Sequence, residues 1–232
     1  MRNLIYIPII HSSADMGSMA SELTRKSIDE FGEEFWKTHV AAVHQYWEVI
    51  SAYCDAIDFG DKFVKIYQDG MVADGDIALK IMEDSVKAGS KNYEIISKLV
   101  SRGGVIQKTE DLGLVKKELD MLKSIPSSGS LIRKVIKIIR FKISRHKLLV
   151  QRDKFITKSI DQTLASNEIG IIFIGAYHKV LEKLPKDILV KEVKETNKVR
   201  EYQKLIPFHT KRKQHFENLS KYLIQPEVHG RK

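Results

Sequence analysis

One cysteine, Cys54, is present in 232 residues. An intrachain disulfide is therefore excluded, and so is any zinc or iron–sulfur centre built on several thiolates. A metal here would have only histidine and oxygen for ligands. Proline is scarce, at five residues, and a single interior stretch, Ser124-Ile-Pro-Ser-Ser-Gly-Ser130, has the Pro/Gly/Ser character of a linker. No apolar run approaches the roughly 18 residues needed to cross a bilayer. The run Leu4–Ile10 is short, carries Pro8 and leads into polar His11-Ser-Ser-Ala-Asp15, so it reads as a buried strand rather than a secretory signal. The chain is expected to be soluble and cytoplasmic. Missing too are Gly-x-x-x-x-Gly-Lys-Ser/Thr, Gly-x-Gly-x-x-Gly, Gly-x-Ser-x-Gly and His-Glu-x-x-His, which removes the usual phosphate-loop, dinucleotide, serine-hydrolase and zincin readings.

What is present in excess is positive charge. Lys and Arg number 39 against 30 Asp and Glu, a formal net charge of +9. Most of that excess lies between Leu131 and Val150. Arg133, Lys134, Lys137, Arg140, Lys142, Arg145 and Lys147 stand there with no acid, beside a helical stripe of Ile132, Val135, Ile136, Ile139 and Ile143. Residues 131–150 could contact nucleic acid or an anionic surface. They also read as a solvated helix face packed by its isoleucines. With Phe141 the lone aromatic of the run, stacking on single strands is disfavoured.

The hydropathy pattern alternates strand and helix. Residues 3–10, Phe63–Gln68, Val105–Gln107, Gly170–Ile174 and Ile188–Val193 are expected strands, the best of them apolar throughout, as in sheets covered on both faces. Between them, Trp36, Val40, Val43, Trp47, Ile50, Cys54 and Ile57 fall at spacings of three and four, the stripe of an amphipathic helix that makes Cys54 a core residue. Further helices are expected over Asp76–Ser101, Asp111–Lys123, Leu131–Leu164 and a charged stretch ending near Leu223. The fold class is α/β: a small, mainly parallel sheet flanked by long helices and rich in helix. A single domain over 1–224 is expected, with a helical excursion at about 76–165 and a flexible tail at 225–232.

In such sheets ligands gather where strands end at their carboxyl edge. His11 follows the first strand, Gln68 and Asp69 the second, and His178 the Gly170–Ile174 strand, after a turn eased by Gly175. If those strands are parallel neighbours, these side chains share one rim. A histidine there is suited to general acid–base work, with a carboxylate such as Asp69 to orient it or to help bind a metal. Asp15, like Ser12 and Ser13, is suited to capping the next helix. His39 and His44 are five apart and His209 and His215 six apart, poor spacings for one helical face.

The residues Arg152-Asp153, then Gly175-Ala-Tyr-His178, then Leu181 and Leu184, resemble the C-terminal signature of the TraB/PrgY (TIKI-like) proteins. These group with the erythromycin-esterase-like and ChaN-like proteins. The resemblance extends more loosely to Pro8-Ile-Ile-His11, where the histidine of a Gly-x-x-His motif stands without its glycine. It extends to Gln68-Asp69 as well, where Asp69 takes the place of a glutamate. It implies a His-based hydrolase, assisted by a divalent metal, acting on a small molecule or peptide. His11 and His178 would be the base or metal-ligand pair, and Arg152 would hold an anionic group or the oxyanion. Taken alone, Arg152 also reads as a partner of Asp153 or Asp161 on a solvated face. The alternative on the same scaffold is a non-catalytic regulatory or binding protein that uses residues 131–150.

Overall fold

A computed structural model of the chain describes residues 1–12, 15, 20–123 and 131–226, with side chains left aside at 23 and 121–145. In chain order it contains β1 (Arg2–Ile9), α1 (Ala20–Phe31), α2 (Glu33–Asp55), β2 (Phe63–Gln68), α3 (Gly75–Lys87), α4 (Lys91–Ser101) and β3 (Gly104–Gln107). Then come α5 (Leu112–Lys123), α6 (Leu131–Thr163), β4 (Glu168–Gly175), a 3₁₀ turn at Leu181–Lys183, β5 (Ile188–Glu192), α7 (Thr196–Leu205) and α8 (Lys213–Ile224). The five strands form one parallel sheet in the order β3-β2-β4-β1-β5. The expected α/β architecture is thus present, and strands from both sides of residues 124–130 join one sheet.

The order follows from handedness. From β1 to β2 to β3 the chain travels toward one edge, and from β3 to β4 to β5 it travels back. Right-handed crossovers put helices of opposite travel on opposite faces. One core accordingly joins Ile7, Ile9, Ile66, Ile171 and Phe173 to α2, α4, α7 and α8. The other joins Leu4, Tyr6, Tyr67, Ile172 and Ile174 to Ile156 and Ile160 of α6 and to Val180. Strands buried on both faces have no polar side to show, which explains their continuous apolar sequence. At the reversal, the segments leaving β1 and β2 turn to one face and the segment leaving β4 to the other. A crevice opens between them.

Several boundaries differ from the sequence reading. The expected helix over Asp76–Ser101 is two helices: α3 ends at Lys87, Gly89 takes φ 86°, and Ser90 caps α4. A left-handed glycine followed by a serine cap is a stop and a start in adjacent residues. The charged C-terminal helix is divided at Pro207, which carries no N–H for a continuing ladder. After His178 the chain makes a single 3₁₀ turn at Leu181–Lys183. On α2 the buried stripe is His39, Val43, Tyr46, Trp47, Ile50, Tyr53 and Cys54, with Val40 exposed and Trp36 half-buried. Tyr46 and Trp47 donate hydrogen bonds to the carbonyls of Pro8 and Ile10, which fixes the chain just before His11.

No helix among the described residues is long and apolar enough to cross a membrane. The basic stretch forms the first half of α6, but its side chains through 145 lie outside the described residues, as do the 124–130 linker and the tail from 227.

Candidate functional site

The rim is assembled by β2, β4 and β1, adjacent and parallel. Gln68 sits opposite Phe173, and Ile9 opposite Gly175, so the three strands end nearly level. The first residue past β2 is Asp69, whose N–H bonds to the Phe173 carbonyl at 2.8 Å. This extends the ladder by one rung and aims the carboxylate at the end of β4. There, the Gly175 N–H donates to Asp69 Oδ2 at 3.0 Å. A β-carbon on Gly175 would stand 3.0 Å from that oxygen. Glycine at 175 favours this close approach, and its φ is not among the positive ones, so the expected turn makes no demand for it.

His178 is 5% exposed and lies between two carboxylates: Nδ1 bonds to Asp153 Oδ1 at 2.7 Å and Nε2 faces Asp69 Oδ2 at 3.5 Å. Asp153 in turn accepts from Lys183 Nζ at 2.9 Å and from the Lys179 N–H at 3.1 Å. Because Asp153 can only accept, it fixes the proton of Nδ1 and presents Nε2 to the centre. Burial works against charge on His178, but Asp69 and the bond to Asp153 outweigh it and raise its pKa to about 9. Burial likewise opposes ionisation of Asp69 and is overcome by His178 and Arg152, with a weaker contribution from His11. Its pKa falls far below the usual carboxylate range.

Arg152 is the hub. It projects from α6 on the stripe of Leu148, Ile156 and Ile160, and so enters the protein rather than solvent. Its Nη2 reaches Asp69 Oδ1 and Glu110 Oε1, both at 2.6 Å; Nε binds Glu110 and Nη1 binds Glu118. Neither expected partner, Asp153 or Asp161, is among these. The fork assigned to an anionic group or oxyanion is engaged by carboxylates of the protein itself. Glu110 is fully buried; burial raises its pKa, and Arg152 offsets this only in part.

Glu110 and Glu118 were not among the residues singled out from sequence. Glu110 follows β3 by three residues, at the same carboxyl edge, and its N–H and that of Thr109 both bond to the Met71 carbonyl. That loop pairing draws the acid inward. The available signal was its place after a strand, in a stretch that otherwise reads as the lead into α5.

Among the described residues, Asp69, Glu110 and His178 form a trio whose ligand atoms lie within 4.8 Å of one another. His11 is not part of it. It stands exposed at the end of β1, on the wall of a cleft of about 520 Å³ that it shares with Asp15, Gln68, Asp69, Asn92 and Tyr93. The structure thus brings His178 together with two carboxylates and places His11 apart from them, on the cleft wall. Four carboxylates, Asp69, Glu110, Glu118 and Asp153, meet one guanidinium and the Lys183 ammonium. With His178 protonated, and all four carboxylates ionised, one negative charge remains in excess, and two once a cation on Nε2 displaces that proton. The donors fit a divalent cation: two hard oxygens and one imidazole nitrogen, with second partners that already fix each ligand.

These features define a parallel α/β protein with a buried carboxylate–histidine cluster at its switch point. No family model, curated protein or solved structure matches the chain.

Proposed function

We propose that the chain is a metal-assisted hydrolase of a small-molecule or peptide substrate. The observation that carries this reading is the convergence of Asp69, Glu110 and His178 from the ends of β2, β3 and β4 beside an open cleft. Taken by themselves, the cluster's own acid–base groups are poorly placed for hydrolysis at neutral pH. Asp69 is too acidic to be an effective base, and His178 holds its proton. A cluster with excess negative charge and fixed donors is suited to holding a cation. A divalent ion on the trio would supply Lewis acidity to a carbonyl substrate.

The chain's own residues then have distinct tasks. Asp153 and Lys183 set the tautomer and direction of His178. Arg152 favours the ionised forms of Asp69 and Glu110 and aligns the two carboxylates, which Lys, lacking the planar fork, does less well. His11, on the cleft wall outside the trio, is the group placed to take a proton from water or return one to the leaving atom. The resemblance of Arg152-Asp153 and Gly175-Ala-Tyr-His178 to the TraB/PrgY signature supports the same reading.

The test is titration of the purified chain with Mn²⁺ or Zn²⁺, followed by ester and peptide hydrolysis with and without chelator. Stoichiometric binding is expected, with activity lost to chelator. Glu110→Gln should weaken metal affinity or activity by about 10- to 100-fold, and His11→Asn should lower activity while leaving affinity intact. A chain that binds no divalent ion, or hydrolyses equally well in chelator and as Glu110→Gln, would overturn the proposal.

A further inference from the structure

His178 stands on a turn that lies beyond the last strand pairing, Ile9 with Gly175. There the chain crosses over the end of the sheet. Ala176 packs in the core shared with α2 and α7, whereas Val180 packs in the core shared with α6. Tyr177, between them, is exposed. The His178 N–H closes the turn on the Gly175 carbonyl at 3.0 Å. From α6, Asp153 takes the imidazole Nδ1 and the Lys179 N–H. The carbonyls of Ala176 and His178 are past the sheet ladder and depend on donors from elsewhere.

Arg200 of α7 supplies those donors. Its Nε donates to the Ala176 carbonyl at 2.6 Å and its Nη2 to the His178 carbonyl at 3.4 Å, so one guanidinium holds the main chain on both sides of Tyr177. Nη1 donates to Asn197 Oδ1 on the same helix at 3.2 Å, which fixes the orientation of the fork. The helix behind it is well anchored. Thr196, Val199, Tyr202 and Leu205 are buried, and Tyr202 Oη is hydrogen-bonded to His39 Nδ1 of α2 at 2.8 Å. Gln203, about one turn further along α7, bonds in a similar way to the neighbouring strand: its Nε2 donates to the Ile9 carbonyl of β1 at 3.2 Å.

We propose that Arg200 is a positioning residue of the candidate site, holding the His178 turn from α7 so that the imidazole stays directed at Asp69 and Glu110. The turn is then gripped from both layers, by Asp153 on α6 and by Arg200 on α7. What the site does with the aligned ring rests on the metal-assisted reading above.

Three variants and two measurements test this. Arg200→Met keeps the stem and removes the donors, Arg200→Lys restores a cation that can serve one carbonyl but not both, and Gln203→Met removes the neighbouring anchor of α7. In chelator, NMR follows water exchange of the His178 Nδ1 proton and of the His178 amide. Calorimetry with Mn²⁺ then reads the trio. In Arg200→Met both protons should exchange about tenfold faster while the amides of β1 keep their rates, and Mn²⁺ affinity should fall by about tenfold. Arg200→Lys should lie between the native chain and Arg200→Met, and Gln203→Met should match the native chain on both measurements. Native exchange or native Mn²⁺ affinity in Arg200→Met, or equal losses in Gln203→Met, would overturn the proposal. If Arg200→Met does not fold, Arg200→Lys decides, and native behaviour of that variant overturns it. Should the native chain bind no Mn²⁺, the metal-assisted reading falls and proton exchange alone decides the role of Arg200. Mn²⁺ binding without hydrolysis removes the hydrolase reading and leaves the proposal to the same two measurements.

Discussion

His178 shows how much one side chain owes to its neighbours. Its folded pKa of about 9 lies above the 6.5 of an unperturbed histidine, so the folded chain holds a proton that the unfolded chain releases first. The stabilisation is fully present below pH 6.5 and is lost as pH rises through 9, a change on the order of 3 kcal/mol. Melting temperature in chelator should therefore fall over that window, and His178→Gln should flatten the profile there. Asp69 and Asp153, both lowered, act with the opposite sign and are lost only in acid. Gly175 is tested by Ala: a β-carbon 3.0 Å from Asp69 Oδ2 must push aside an oxygen that two other groups position. About 1–3 kcal/mol of destabilisation is expected. A clear drop in Mn²⁺ affinity should accompany it, and unchanged affinity would show that Asp69 tolerates the shift. At this scale Asp69 and His178 were legible as strand-end residues. Glu110 was not, because its burial depends on the Met71 carbonyl, a contact made between two loops.

Among the elements, α4 contributes most directly to the cleft. Its cap, Ser90, accepts from the Tyr93 N–H and donates to Asp15, so one hydroxyl serves both the helix and the cleft wall. Ser90→Ala should cost about 1 kcal/mol of stability, read from chemical denaturation. The sequence suggests one helix over Asp76–Ser101, and left-handed Gly89 with the Ser90 cap divides it into α3 and α4. In α6 the periodicity was informative in a different way. Arg152 lies on the same stripe as Leu148, Ile156 and Ile160, and a charge on an apolar stripe signals a buried partner. Which carboxylates answer it was not readable from α6 itself.

For the molecule as a whole, protection should follow position in the sheet. β4 and β1 are flanked by strands on both sides and covered on both faces, whereas four of the five residues of β5 are exposed. Hydrogen exchange should find the slowest amides in β1 and β4 and faster ones in β5, and equal rates would contradict this layering. The sequence by itself determined the kind of fold. Continuous apolar strands and periodic helices report burial, a local property written in residue order. It also restricted metal chemistry to histidine and oxygen, because one cysteine leaves nothing else. The tertiary structure decided the strand order, and with it which rim residues meet. His178, Asp69, Glu110 and Arg152 come from segments up to 109 positions apart, and a parallel sheet brings them together through crossovers whose order no local pattern records. Their charges then set one another's protonation, a property that belongs to the cluster and to none of its residues alone.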